Sequence, residues 1–134
     1  MTRAGLFDDR LVTTTPRPSS ITMGAELFAE ALARAPDVDG VVCNNDDLAL
    51  GVLFACHRAG IDVPGQVGIA GFNDHEMMAA AFPSITSLRT PRYEIGRRAV
   101  SMVLAAIAGE AAGERVVDLK FELKIRESTA LSNS

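Results

Sequence analysis

Val41-Val42-Cys43-Asn44-Asn45-Asp46-Asp47-Leu48-Ala49-Leu50-Gly51 decides the fold of this 134-residue chain. Val41 to Cys43 is a short apolar run of the kind that forms a buried strand. It stops at four polar residues, and a segment with helical apolar spacing, Leu48 to Ala59, begins at once. Asn44 to Asp47 therefore sit where a strand delivers the chain to a helix N-terminus. In an open α/β sheet that is the edge where ligands bind, outside the carboxyl ends of the strands. Four side chains with hydrogen-bonding oxygens are more than one cap requires. The pattern returns at Val67-Gly68-Ile69-Ala70-Gly71-Phe72-Asn73-Asp74. Two strands ending in amide plus carboxylate predict one polar site assembled from two loops.

Working outward, Asp47 to Ala59 forms a helix that closes at Gly60. Upstream, Ser19 or Ser20 caps a helix with Ile21, Gly24, Leu27, Phe28, Ala31 and Leu32 on one face. Ala35-Pro36-Asp37 ends it. Earlier still, Arg3-Ala4-Gly5-Leu6 reads as a helix stop and Arg10-Leu11-Val12 as a short strand. Downstream, Gly68 and Gly71 suggest close backbone approach within their strand. His75 to Ala81 is a short helix, unusually apolar through Met77, Met78 and the following Phe82. Ser84 to Arg89 is a strand. A helix from Arg92 to Ala108 carries a stripe of Ile95, Ala99, Val100, Val103, Leu104 and Ile107. Val116 to Arg126 alternates apolar and polar residues, the period of a strand wet on one face, at an edge or long and antiparallel. Glu127 to Ser134 reads as a frayed polar tail. The order strand–helix–strand–helix predicts an α/β fold, a parallel sheet flanked by helices.

The chain is 48% hydrophobic, enough for a sizeable core, with net charge −4 and pI about 5.1. That balance argues against a nucleic-acid surface here, which needs clustered Lys and Arg. The one cationic cluster, Arg89, Arg92, Arg97 and Arg98, is interrupted by Glu94 and reads as a solvated helix face. Cys43 and Cys56 read as small core residues, without disulfide or metal spacing, which fits a reducing cytoplasm. Residues 1–20 carry no signal-peptide pattern, and no apolar run reaches the length of a membrane span.

Asp46, Asp47 and Asp74, with Asn45 and Asn73, admit three readings. They could bind a divalent cation through oxygen. Asp46 could simply cap its helix and face the helix dipole. Capping combined with binding the hydroxyls of a small polyol or sugar is the reading that suits the location of pockets in such sheets. His57 and His75 have no partner pattern for nucleophilic catalysis, and there is no Gly-x-Ser-x-Gly elbow or phosphate-binding glycine loop. No enzyme activity and no cofactor are expected.

Several stretches, taken in order, resemble the C-terminal part of LacI-family transcriptional regulators. They are Cys43 to Gly51, Gly60-Ile61-Asp62-Val63-Pro64, Val67 to Asp74, Pro83-Ser84-Ile85-Thr86-Ser87-Leu88, Ile95-Gly96-Arg97-Arg98-Ala99 and Leu123-Lys124-Ile125-Arg126-Glu127-Ser128-Thr129. Asn-Asn-Asp-Asp, Gly-Phe-Asn-Asp and the Pro-Ser-Ser before the first helix look most like the gluconate-operon repressors of that family. The resemblance implies a periplasmic-binding-protein-like effector domain, two α/β subdomains with a small-molecule cleft between them. Residues 1–84 would lie in the C-terminal subdomain. Residues 85–115 would form the crossover and a helix of the N-terminal subdomain, and 116–129 the return strand.

The resemblance also implies roles for single residues. Asn45, Asp46 and Asn73 would line the effector cleft, with Ser19 and Ser20 at a position where relatives often carry a stacking aromatic. Serine there favours a flexible polyol or sugar acid, for which Arg92 is a candidate cation. Leu50, Leu53, Phe54, His57 and Phe82 would lie in a homodimer interface. The DNA-binding helix-turn-helix of the family is expected to be absent from this chain, so operator DNA would be reached only through a missing N-terminal domain. The implied function is binding of a small sugar, polyol or gluconate-like sugar acid that controls DNA binding by subdomain closure in a cytoplasmic dimer, with no membrane partner. A substrate-binding protein of a sugar transporter is the alternative.

Overall fold

The structure, a computed structural model, describes residues 8–110 and 116–130. The helix stop expected at Arg3 to Leu6 lies outside the described residues. Helix α1 spans Ile21–Arg34 and starts because the Ser20 hydroxyl accepts a hydrogen bond from the Met23 N–H at 3.1 Å. Strand β1 (Gly40–Val42) leads into α2 (Asp46–Ala59). Helix α2 ends at Gly60, whose φ of 69° is the left-handed conformation glycine adopts without a Cβ penalty. Then follow β2 (Gly68–Phe72), the short α3 (Glu76–Ala80), β3 (Thr86–Arg89), α4 (Arg92–Ile107) and β4 (Glu122–Lys124).

The four strands form one sheet in the order β1-β2-β3-β4. The first three are parallel, with Val42 opposite Ala70 and Ala70 opposite Thr86. β4 runs antiparallel on the outer edge, with Arg89 opposite Glu122. Leu50, Leu53 and Cys56 of α2 pack with Ile69, Met78 and Ile85 into the core. Burying a side chain the size of Leu53 contributes about 2 kcal/mol. Among the described residues no helix is long and apolar enough to cross a membrane.

Helix α1 lies close to α2. A Cβ on Gly24 would overlap the Leu48 carbonyl, and one on Gly51 would overlap the Ile21 carbonyl and the Gly24 backbone. The first turn of α1 therefore meets the first two turns of α2. Of the two strand glycines, Gly71 makes the close approach, since a Cβ there would sit 2.5 Å from an Asp46 oxygen. Gly68 has ordinary van der Waals room.

Three expectations are corrected. Asp9–Leu11 is a 3-10 turn and not part of a strand, because the Asp8 carboxylate and carbonyl accept from the Arg10 and Leu11 N–H groups and close the chain locally. β4 covers three residues of the expected 116–126. Lys120 has φ 60°, which breaks the extended run, and Phe121, Leu123 and Ile125 are all exposed, so no buried face extends the pairing. Residues 127–130 are not frayed. The Ser128 hydroxyl donates to the Ile69 carbonyl at 2.5 Å and accepts from the Thr86 N–H at 2.9 Å, stitching the segment across β2 and β3.

Candidate functional site

Three loops emerge at the carboxyl ends of the parallel strands, Cys43 to Asn45, Asn73 to His75, and Thr90 to Pro91. Strand direction alone brings them to one edge. The Asn73 N–H donates to the Leu88 carbonyl at 2.8 Å, which fixes the second loop against the end of β3. Asn73 and Asp74 have φ of 112° and 54°, a backbone that side-chain-bearing residues rarely adopt, and asparagine and aspartate tolerate it best.

Asn45, and not Asp46, caps α2, and Asp46, expected to line the cleft, is buried beneath the loops. Asn45 is the N-cap of α2, its side-chain oxygen accepting from the Leu48 N–H at 3.0 Å while its amide donates to the Asn44 side chain. Asp46 is buried, and both its oxygens are used. Oδ1 accepts from Ser87 Oγ at 2.7 Å and Oδ2 from the His75 N–H at 2.7 Å. Asp46 thus ties the two loops and β3 together from beneath. Asp47, one residue on, is exposed in the first turn.

Asp74 is the second buried carboxylate. Its N–H donates to Ser87 Oγ at 3.1 Å. Its Oδ1 accepts from Arg126 Nη2 at 2.6 Å, and its Oδ2 from Arg89 Nε at 2.7 Å with Arg89 Nη2 at 2.6 Å. Burial pushes its pKa up, but the hydrogen bonds from Arg126 and Arg89 outweigh that and hold the carboxyl below its ordinary value. With two arginines on Asp74 and neutral donors on Asp46, neither carboxylate is arranged as a cation ligand.

Ser19 and Ser20 are exposed at the α1 N-terminus, Ser20 with its hydroxyl engaged in the cap. The Asn73 side chain is half-buried and makes no hydrogen bond among the described residues. Arg92 is exposed at the start of α4, reached from β3 through Thr90 and Pro91. Asn45 and Asn73 therefore lie at the carboxyl edge of the sheet, Arg92 starts α4 beyond β3, and Ser19 and Ser20 lie at the start of α1, which packs on the first two turns of α2. Arg89, expected on a solvated helix face, instead ends β3 and is bound to Asp74.

Elsewhere, Leu50, Leu53, Phe54, His57, Met77 and Phe82 line a groove of about 280 Å³ with Ala80 and Ala81. Leu50 and Leu53 are buried in the chain's own core and form its floor, whereas Phe54, His57, Met77 and Phe82 are exposed on its rim. Cys43 and Cys56 are free, buried thiols, pushed up to about 12 and about 11 chiefly by burial. Both are protonated at neutral pH and poor nucleophiles.

Sequence reasoning missed Ser87, Arg89 and Arg126 as parts of this site. Arg89 carried a usable signal, since it is the one charged residue of β3 and ends that strand, as the polar Asn73 follows the end of β2. Arg126 carried none, being 52 residues from its partner Asp74.

Residues 1–129 match the family model of the periplasmic binding protein-like domain. The chain is 48% identical over 127 residues to the HTH-type transcriptional regulator GntR of Pseudomonas aeruginosa, covering 95% of this chain and 37% of that protein. The crystal structure of transcription regulator GntR from Chromobacterium violaceum superposes with a TM-score of 0.85 at 42% identity, over 96% of this chain and 47% of that one. A transcriptional regulator CelR–cellobiose complex gives a TM-score of 0.85 at 30% identity, over 95% of this chain and 38% of that one. The chain thus spans less than half the length of each of these relatives.

Proposed function

The chain belongs to the periplasmic binding protein-like domain of LacI-family transcriptional regulators, and from that membership we propose that it forms one wall of an effector cleft for a small sugar, polyol or gluconate-like sugar acid. The relatives are regulators and not enzymes. The observation that carries the reading is the convergence of Asn44–Asn45 and Asn73 at the carboxyl edge of the parallel sheet, with the α1 N-terminus packed on the first two turns of α2. Exposed or half-buried amides and hydroxyls there, above two buried carboxylates that tie the loops together, suit a ligand rich in hydroxyl groups. Asn73 is the central contact, because its side chain makes no hydrogen bond among the described residues, whereas Asn45 caps α2 and Asn44 accepts from Asn45. Asn45, Ser19 and Ser20 contribute from the helix starts and Arg92 from the crossover. Asp46 serves the site from beneath, as the strut between its loops.

In this reading the C-terminal subdomain is the body built on the β1-β2-β3 sheet, through β3, with 116–129 returning to it as its edge strand. α4 lies within 85–115 and packs its uncovered stripe on the N-terminal subdomain of the intact regulator. The ligand bridges both subdomains and favours one closure angle, which a dimer passes to DNA-binding heads. The rim of Phe54, His57 and Phe82 supplies the dimer contact. A CelR–cellobiose complex among the similar structures is in keeping with a carbohydrate ligand. The test is Asn73→Ala in the intact protein. Effector-induced release from operator DNA is expected to be lost, with the melting temperature and effector-free DNA binding unchanged. Normal induction in that variant removes Asn73 from the site.

A further inference from the structure

We propose that Arg89 is the specificity-determining residue of this site, its guanidinium receiving the carboxylate of a sugar-acid effector and so selecting sugar acids over uncharged polyols. The assignment rests on the cleft reading given above and adds the group that chooses among its ligands. Arg89 closes β3, at the same edge as Asn73, and the Asn73 N–H to Leu88 carbonyl bond places the two beside each other. Its side chain is 51% exposed, whereas the Asp74 side chain that holds it is 1% exposed. Asp74 Oδ2 engages the Nε and Nη2 edge of the guanidinium. The Nη1–Nη2 end remains, and Nη1 makes no hydrogen bond among the described residues. That end is a planar pair of donors matched to a carboxylate.

The charges around Arg89 point the same way. Asp46 and Asp74 are both buried with their oxygens turned inward, so the part of this cluster presented to solvent is cationic. Glu122, opposite Arg89 in the sheet, is paired with Lys124. Arg126 is bound to the other oxygen of Asp74 and to the Ile85 carbonyl, and its side chain is largely covered. Arg92 is also exposed, but it stands on α4, no residue of which is buried. Arg89 is held in one orientation by a buried partner, and a selective contact requires that rigidity.

Isothermal titration of the intact native protein with D-gluconate and with D-glucitol, its uncharged counterpart, tests the assignment. The wild type is expected to bind D-gluconate about tenfold tighter or more, and Arg89→Gln to bring the two within about twofold with D-glucitol binding kept. Arg89→Lys keeps the charge without the fork and is expected to show an intermediate preference. It decides the matter should the glutamine variant fail to fold, and a full wild-type preference in it counts against the fork. A preference retained in Arg89→Gln, or lost in Arg92→Gln instead, overturns the role of Arg89 and leaves the polyol site standing. Wild-type binding of D-glucitol with no preference for D-gluconate does the same. Binding of neither compound overturns both the role and the site.

Discussion

Helices α2 and α4 are close in length, 14 and 16 residues, and each carries an apolar stripe at three- and four-residue spacing. Yet α2 buries Ala49, Leu50, Val52, Leu53 and Cys56, and α4 buries nothing, leaving Val100, Val103, Leu104 and Ile107 exposed. The contrast lies in what surrounds the stripe. Gly51 lets α2 lie against the backbone of α1, and Gly71 lets Asp46 and Ala49 of α2 lie against β2. In α4 the one glycine, Gly96, meets nothing within 4 Å. A stripe identifies a helix. A glycine facing another main chain identifies the helix's partner.

The sharpest way to break this contrast is to fill the α1–α2 crossing. Gly51→Ala places a methyl group on the Ile21 carbonyl, and because the obstacle is main chain the helices must separate. We expect a loss of about 3 kcal/mol in the unfolding free energy measured by urea titration.

Acid probes the body next. Asp74 is held below its ordinary pKa, so its contribution is fully present above the unfolded value of about 3.9 and is lost as pH falls through the lower folded value. Stability followed by circular dichroism should therefore decline below about pH 4, and Asp74→Asn should flatten the decline, since it removes the group that takes up the proton. Glu94 on α4 is also held low, first by its hydrogen bond from Arg97, but that pair is exposed and contributes little.

The smallest effect is expected on α4 itself. In the 134-residue chain by itself, Leu104→Gln should change unfolding free energy by no more than about 0.5 kcal/mol, because that side chain is already in water there. A loss comparable to that of a core substitution in the same titration would show that α4 is packed and end the contrast.

The sequence placed α1, α2, β2, β3 and α4 within two residues of their bounds, because apolar periodicity and caps are local signals. It also located the carboxyl edge, where Asn45 and Asn73 lie. What it could not assign was the division of labour between Asn45 and Asp46. Either residue type can cap a helix, and the choice was made by Ser87, 41 residues away, which takes Asp46 inward. Residues 127–130 look polar and loose in one dimension. Their order comes from Ile69, Thr86 and Ser84, with which Ser128, Thr129 and Glu127 exchange hydrogen bonds. The alternation over 116–126 is genuine, but alternation gives no face to bury without a layer to bury it against.

The crossing of Gly24 and Gly51 has a consequence for how this chain can change over generations. Where two bulky side chains meet, volume gained at one position can be returned at the other, so a harmful replacement has a suppressor nearby. Here both positions already carry the smallest residue, and each faces a carbonyl that no replacement can shrink. The two glycines cannot trade with each other, so a lineage that loses either one has no second-site repair within the pair and recovers only by moving a whole helix.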